Sequence, residues 1–166
     1  MTIWHKFAPD LRCPRIQDIP LELLKERGIE GILFDLDNTI TAWHSFEIPA
    51  DTNAWLQNLA AFGFKTAIVS NNKGARVKQL SDKLAMPFIS DAIKPRRKGF
   101  LQAAALLELP VSKLAMVGDQ LITDIWGGNR AGLYTIFVDS LHPKEHWGTT
   151  HIFRPMERFV LKRLDK

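Results

Sequence analysis

Apolar residues in this chain follow two kinds of pattern: short runs rich in β-branched side chains, and longer stretches in which they recur three and four positions apart. The runs predict five strands, over Gly31–Asp37, Lys65–Ser70, Pro87–Ala92, Lys113–Asp119 and Tyr134–Asp139. The spaced stretches predict helices. Trp55, Leu59 and Phe62 share one face of a helix over Asp51–Phe62 that Gly63 closes. Val77, Leu80 and Leu84 share a face over Gly74–Ala85, which must stop before Pro87. Further helices are predicted over Arg97–Leu107, over Thr123–Ala131, where Gly127 and Gly128 weaken it, and over Pro155–Leu164. Strands alternating with helices predict an α/β chain built on a doubly wound, Rossmann-like, five-stranded parallel sheet.

Residues 1–30 break this rhythm, because Pro9, Pro14 and Pro20 interrupt the segment and leave only the short helix of PLELLKERG. They read as an N-terminal extension packed on the core, with residues 31–166 as the single domain. A length of 166 residues, 46% of them hydrophobic and 24% charged, agrees with one globular core.

The single cysteine, Cys13, has no internal disulfide partner, which favours a reducing and therefore cytoplasmic setting. The opening residues carry charges and prolines where a signal peptide needs an apolar stretch, and no later run is long enough to cross a bilayer. Lys and Arg outnumber Asp and Glu 22 to 18, for a net charge of +4, which favours anionic partners. No basic run or RNA-binding signature supports nucleic acid.

Chemistry enters with two runs that end in carboxylates, LFDLDNT and MVGDQLITD. Open α/β sheets bind ligands outside the carboxyl ends of their strands. If the first and fourth strands are neighbours, Asp35, Asp37 and Asp119 converge at the topological switch point, where carboxylates repel unless a cation joins them. Clustered oxygen ligands suit Mg²⁺. Ser70 ends the second strand and is followed by Asn71, Asn72 and Gly74 before a helix, so hydroxyl, amide and helix N-terminal N–H groups can face one phosphate. Lys94 adds a cation. It is preferred to Lys98 because it directly follows the third strand and precedes Pro95.

These parts suit phosphoryl transfer. Asp35 is the candidate nucleophile, and Asp37 the acid that protonates the leaving alcohol and then deprotonates water. Ser70, Asn71 and Lys94 would bind phosphate. Asp35, Asp37, Asp119 and Asp124 form the candidate metal set, with Asp37 contributing its backbone carbonyl and Asp124 orienting a metal-bound water or Lys94. His44 reads as a solvated loop histidine ahead of a substrate contact. Trp4 and Phe7, with Lys6 and Arg12, read as a staple of the extension ahead of a lipid contact.

DLDNT, the Ser70 strand end, the Lys94-Pro95 step and GDQLITD resemble the four motifs of the haloacid dehalogenase (HAD) superfamily in its phosphatase form, spanning residues 31 to 132. More narrowly, DLDNTI, VSNN, KPRRKGF and GDQLITDIWGGNRAG look like the YqeG-type HAD phosphatases. The resemblance implies a Mg²⁺-dependent phosphomonoester hydrolase of phosphatidylglycerophosphate, meeting a phospholipid head group at an anionic membrane surface as a peripheral protein.

Two loop lengths bear on the substrate. Residues 38–69 and 71–93 leave no room for an inserted cap domain, so the site is expected to be open and to suit a phosphate on something large. Within enzymes the alternative is a capless phosphatase of another macromolecular or soluble phosphate. A phospho-Asp receiver domain is the alternative from another class, but its phosphorylated Asp would end a middle strand, whereas the DxD pair here ends the first.

Overall fold

The computed structural model describes residues 6–141. Six strands form one sheet: β1 (Leu11–Cys13), β2 (Gly31–Phe34), β3 (Lys65–Val69), β4 (Phe88–Ile89), β5 (Leu114–Gly118) and β6 (Tyr134–Val138). Their spatial order is β1-β6-β5-β2-β3-β4, and every pair is parallel. The helices are α1 (Leu21–Glu26), α2 (Ala50–Ala61), α3 (Gly74–Leu84), α4 (Arg97–Leu107) and α5 (Gly127–Ala131), with a π-helical turn over Leu121–Trp126 before α5. The α/β doubly wound parallel architecture expected from the sequence is therefore present, with six strands instead of five.

The additional strand comes from the N-terminal stretch, where Leu11 pairs with Ile136 and Cys13 with Val138. Asp10 anchors its start, its carboxylate accepting a hydrogen bond from the Thr135 N–H at 2.8 Å. The predicted third strand shrinks to Phe88–Ile89 because Asp91 and Ile93 adopt positive φ values of 48° and 52°, which end the extended run. The predicted helix over Thr123–Ala131 splits in two. Its first part is π-helical, closed by Ile125 N–H donating to the Gln120 carbonyl. The predicted helix over residues 155–164 lies outside the described residues.

Alternation along the strands divides the core. Ile32 and Phe34 point to the face covered by α1, α2 and α3, where Leu24, Leu59 and Leu80 are fully buried. Leu33 points to the other face, against Phe100 and Ala103 of α4 and Met116 of β5. Each fully buried Leu, Ile or Phe contributes roughly 1.5–3 kcal/mol. With both faces covered, ligands have access only at the strand ends, and β2, between β3 and β5, marks the point where the chain order reverses.

Candidate active site

The pairing of Phe34 with Val117 continues one residue further, since the Asp35 N–H donates to the Val117 carbonyl at 2.9 Å. That bond puts Asp35 at the carboxyl end of β2, beside Asp119 just past β5. Asp35, Asp119 and Asp124 each present a carboxylate oxygen within 4.8 Å of the others. Asp119 and Asp124 are fully buried, and Thr39 lies under them, its hydroxyl 3.4 Å from Asp119 Oδ1 and 3.5 Å from Asp35 Oδ2.

Lys94 enters this cluster from the loop after β4. Its ammonium donates to Asp35 Oδ1 at 2.6 Å and to Asp124 Oδ1 at 2.8 Å. Burial alone would lower the Lys94 pKa, but the Asp124 and Asp35 carboxylates outweigh it and raise the pKa above the ordinary lysine value. Lys98 is exposed. Burial, opposed by Lys94 and assisted by Asp124 and Asp37, pushes Asp35 up to about 7. Three converging carboxylates with one ammonium leave an excess of buried negative charge. Hard oxygen donors of that kind fit a divalent cation, which would supply positive charge at the site of phosphoryl transfer.

Asp124 is held by the Gln120 N–H, which donates to Oδ2 at 3.1 Å. It lies so close to Gly118 that any Cβ at that position would clash with its carboxylate. Only glycine lets β5 carry Asp119 forward while Asp124 folds back over the strand.

Ser70 is buried at the end of β3, where its hydroxyl accepts from the Asn72 N–H at 3.1 Å. Asn71 ties the loops after β3 and β4 together: its amide donates to the Lys94 carbonyl at 3.1 Å and accepts from the Lys94 N–H at 2.7 Å. Asp35, Asp37, Ser70, Asn71 and Lys94 line one cavity of about 160 Å³ with Trp43, Gln120 and Thr123. That space takes a phosphoryl group and little more.

Asp37 faces the same cavity, but not through strand alternation, because β2 ends at Phe34. Its carboxylate is not one of the three that converge. It forms an ion pair with Arg76 at 2.8 Å and accepts from the Asn72 side-chain amide. Arg76 also donates to the Ser45 carbonyl at 2.8 Å, binding the loop after β2 to α3. Its role was hidden in the sequence, where GARVKQLSDKL reads as an ordinary charged helix. His44 is exposed, its ring 4.0 Å from that of Trp43. Phe7 stacks on Trp126 at 5.5 Å, as a staple would; Trp4 lies outside the described residues.

Among the described residues, the connection from β2 to β3 holds only α2 and that from β3 to β4 only α3, so neither carries a cap. None of their helices is long and apolar enough to cross a membrane.

Comparison with known proteins agrees with this geometry. The family described as mitochondrial PGP phosphatase matches residues 2–91, and a HAD-hydrolase-like family matches residues 92–159. The probable phosphatase YqeG of Bacillus subtilis is 39% identical over 160 residues, covering 96% of this chain and 92% of its own. The chloroplastic phosphatidylglycerophosphate phosphatase 1 of Chlamydomonas reinhardtii is 32% identical over 142 residues, 80% of this chain and 53% of its own. Its chloroplastic/mitochondrial counterpart in Arabidopsis thaliana is 30% identical over 168 residues, 96% of this chain and 47% of its own, so the chain spans about half the length of these two. Among solved structures, the cobalt-bound deoxy-D-mannose-octulosonate 8-phosphate phosphatase of Haemophilus influenzae superposes with a TM-score of 0.56 at 15% identity, over 86% of this chain and 92% of its own. That likeness concerns the fold. The four motifs and the relatives together establish that this chain is a phosphatase, belonging to the YqeG and phosphatidylglycerophosphate phosphatase branch of the HAD family.

Proposed function

We propose that the chain hydrolyses the terminal phosphomonoester of phosphatidylglycerophosphate, using Mg²⁺ and an aspartyl-phosphate intermediate on Asp35. The observation that carries this reading is the convergence of Asp35, Lys94, Asp119 and Asp124, of which Asp35 and Lys94 line a small, uncapped cavity. Asp35 and Asp119, with the Asp37 carbonyl, would hold the cation, and Asp124 would orient its shell. The cation would neutralise phosphate oxygens and let Asp35 approach as a carboxylate.

An Asp35 oxygen attacks phosphorus, and the bond from phosphorus to the leaving glycerol oxygen breaks. Asp37, once protonated from solvent, gives that proton to the leaving oxygen, releasing phosphatidylglycerol. Asp37, now a carboxylate, takes a proton from water. The resulting hydroxide attacks phosphorus, the bond between phosphorus and Asp35 breaks, and inorganic phosphate leaves. Ser70, Asn71 and Lys94, which line the cavity, would bind the equatorial oxygens. The uncapped cavity suits a substrate whose bulk remains outside, and the named algal and plant relatives point to the same lipid.

The test is phosphate release from phosphatidylglycerophosphate in mixed micelles, beside a panel of soluble phosphomonoesters, with Mg²⁺ or with EDTA. Preference for the lipid, loss in EDTA, recovery on adding Mg²⁺ and an inactive Asp35→Asn variant are expected. Turnover of soluble esters alone would remove the lipid from the reading and leave the phosphatase.

A further inference from the structure

Large apolar side chains exposed among the described residues are few, and they are unevenly placed. Four of the seven, Trp43 (37% exposed), Phe46 (42%), Ile93 (57%) and Leu141 (37%), lie on loops that follow β2, β4 or β6, while Leu101 and Leu106 lie on α4 and Phe62 at the end of α2. In a parallel sheet such loops emerge at one edge, the edge that holds the active site. Local contacts tie them to it. Trp43 lines the catalytic cavity and its N–H donates to the Asn38 side chain; Leu141 N–H donates to the Asn38 carbonyl at 2.9 Å; Ile93 precedes Lys94. Phe46 lies against the Arg76 guanidinium, 5.7 Å from ring centre to Cζ.

The charge beside this rim is unevenly distributed, with the cations gathered on the side of β3 and β4. On the loops and helix starts after β3 and β4, the exposed residues Lys73, Arg96, Arg97 and Lys98 stand against the single exposed acid Asp91. The acids Glu47 and Asp139 lie on the loops after β2 and β6. Aromatic and aliphatic side chains flanked by cations suit the interface of an anionic bilayer, where rings settle at head-group depth and each Lys or Arg gains from the surface potential.

We infer that this edge is a membrane-docking surface, in which Trp43, Phe46 and Ile93 enter the interface of an anionic bilayer and set the catalytic cavity at head-group level. The inference rests on the lipid-phosphatase reading for its choice of surface, and it adds a mode of delivery: the substrate's phosphate rises into the cavity while its acyl chains stay in the bilayer. A volume of about 160 Å³ has no place for the chains.

Flotation of the full chain with vesicles tests this, using phosphatidylcholine alone or phosphatidylcholine with phosphatidylglycerol, and no substrate. Wild type is expected to float with the anionic vesicles and far less with the neutral ones. Phe46→Ser/Ile93→Ser is expected to lose at least about tenfold in partition, since each side chain forfeits its apolar transfer. Arg96→Glu/Arg97→Glu should lose a similar factor, at low salt above all. Hydrolysis of a soluble phosphomonoester by the same samples, unchanged from wild type, reports that both variants fold. Wild type that stays off anionic vesicles overturns the inference and leaves this edge to a protein partner; a Phe46→Ser/Ile93→Ser variant that floats like wild type overturns it too. Wild type that floats, loses flotation in both variants, yet spares phosphatidylglycerophosphate upholds the docking surface and overturns only the substrate.

Discussion

Asp35 is a group whose charge the metal-free fold opposes, and that opposition is measurable apart from catalysis. Its pKa rises from 3.8 to about 7, first through burial, with Asp124 and Asp37 adding repulsion against the pull of Lys94. A folded-state value above the unfolded one means that the native state holds the proton more tightly. The stability this gives is complete below pH 4 and is lost as pH rises through 7. Relative to low pH, the raised Asp35 pKa therefore lowers the stability of the metal-free fold by roughly a few kcal/mol at pH 8 and by less at pH 5. Asp35→Asn removes the charge and keeps the shape and an oxygen that accepts from Lys94. In EDTA the variant is therefore expected to melt above wild type, by roughly 5–15 °C at pH 8 and by less at pH 5 for a chain of this size. Titrating groups remote from Asp35 cancel in the difference between the two proteins. Mg²⁺ should raise wild type more than the variant, because it binds the ionised site. The measurement is a set of thermal melts at two pH values with and without metal. A gap that does not grow with pH, or a variant that melts below wild type at pH 8, would refute the electrostatic reasoning.

Lys94→Met leaves Asp35 and Asp124 without their shared ammonium in a buried site, and is expected to cost about 3–5 kcal/mol in urea unfolding and to abolish turnover. Gly118→Ala drives a Cβ into the Asp124 carboxylate; a loss of about 1–3 kcal/mol should accompany a higher Mg²⁺ requirement in a metal titration of activity. Arg76→Ala releases Asp37 and the loop carrying Ser45, so kcat on a soluble ester is expected to fall by about tenfold or more, with Arg76→Lys restoring part of it. Unchanged kcat in Arg76→Ala would show that Asp37 needs no such support.

The α/β class and the residues that converge at the sheet edge were legible because both depend on signals within a few residues. A β-rich run ending in DLDNT places Asp35 at a strand end whatever that strand pairs with, and Lys94, on the loop after β4, is brought into the cluster. Pairings between distant segments left no such mark. The edge strand Leu11–Cys13 is three residues long and exists because β6 offers it a parallel ladder, so its signal lies 125 residues away, in Ile136 and its neighbours. The run PFISDA looked like a full strand, yet only Phe88 and Ile89 pair, since the chain must turn at Asp91 and Ile93 to bring Lys94 inward.

Asp35 and Asp37 show the same division. Local spacing makes both carboxylates neighbours of one cavity, but which partner each one meets depends on elements remote in the chain. Lys94 and Asp124 take Asp35, and Arg76 with Asn72 takes Asp37. Chemical identity and strand-end position are properties of short segments, and the sequence alone determined them. Ion-pair partners, the sixth strand and the rim of exposed apolar side chains around the cavity were decided only by the tertiary structure, because each arises where segments far apart in the chain are packed against one sheet edge.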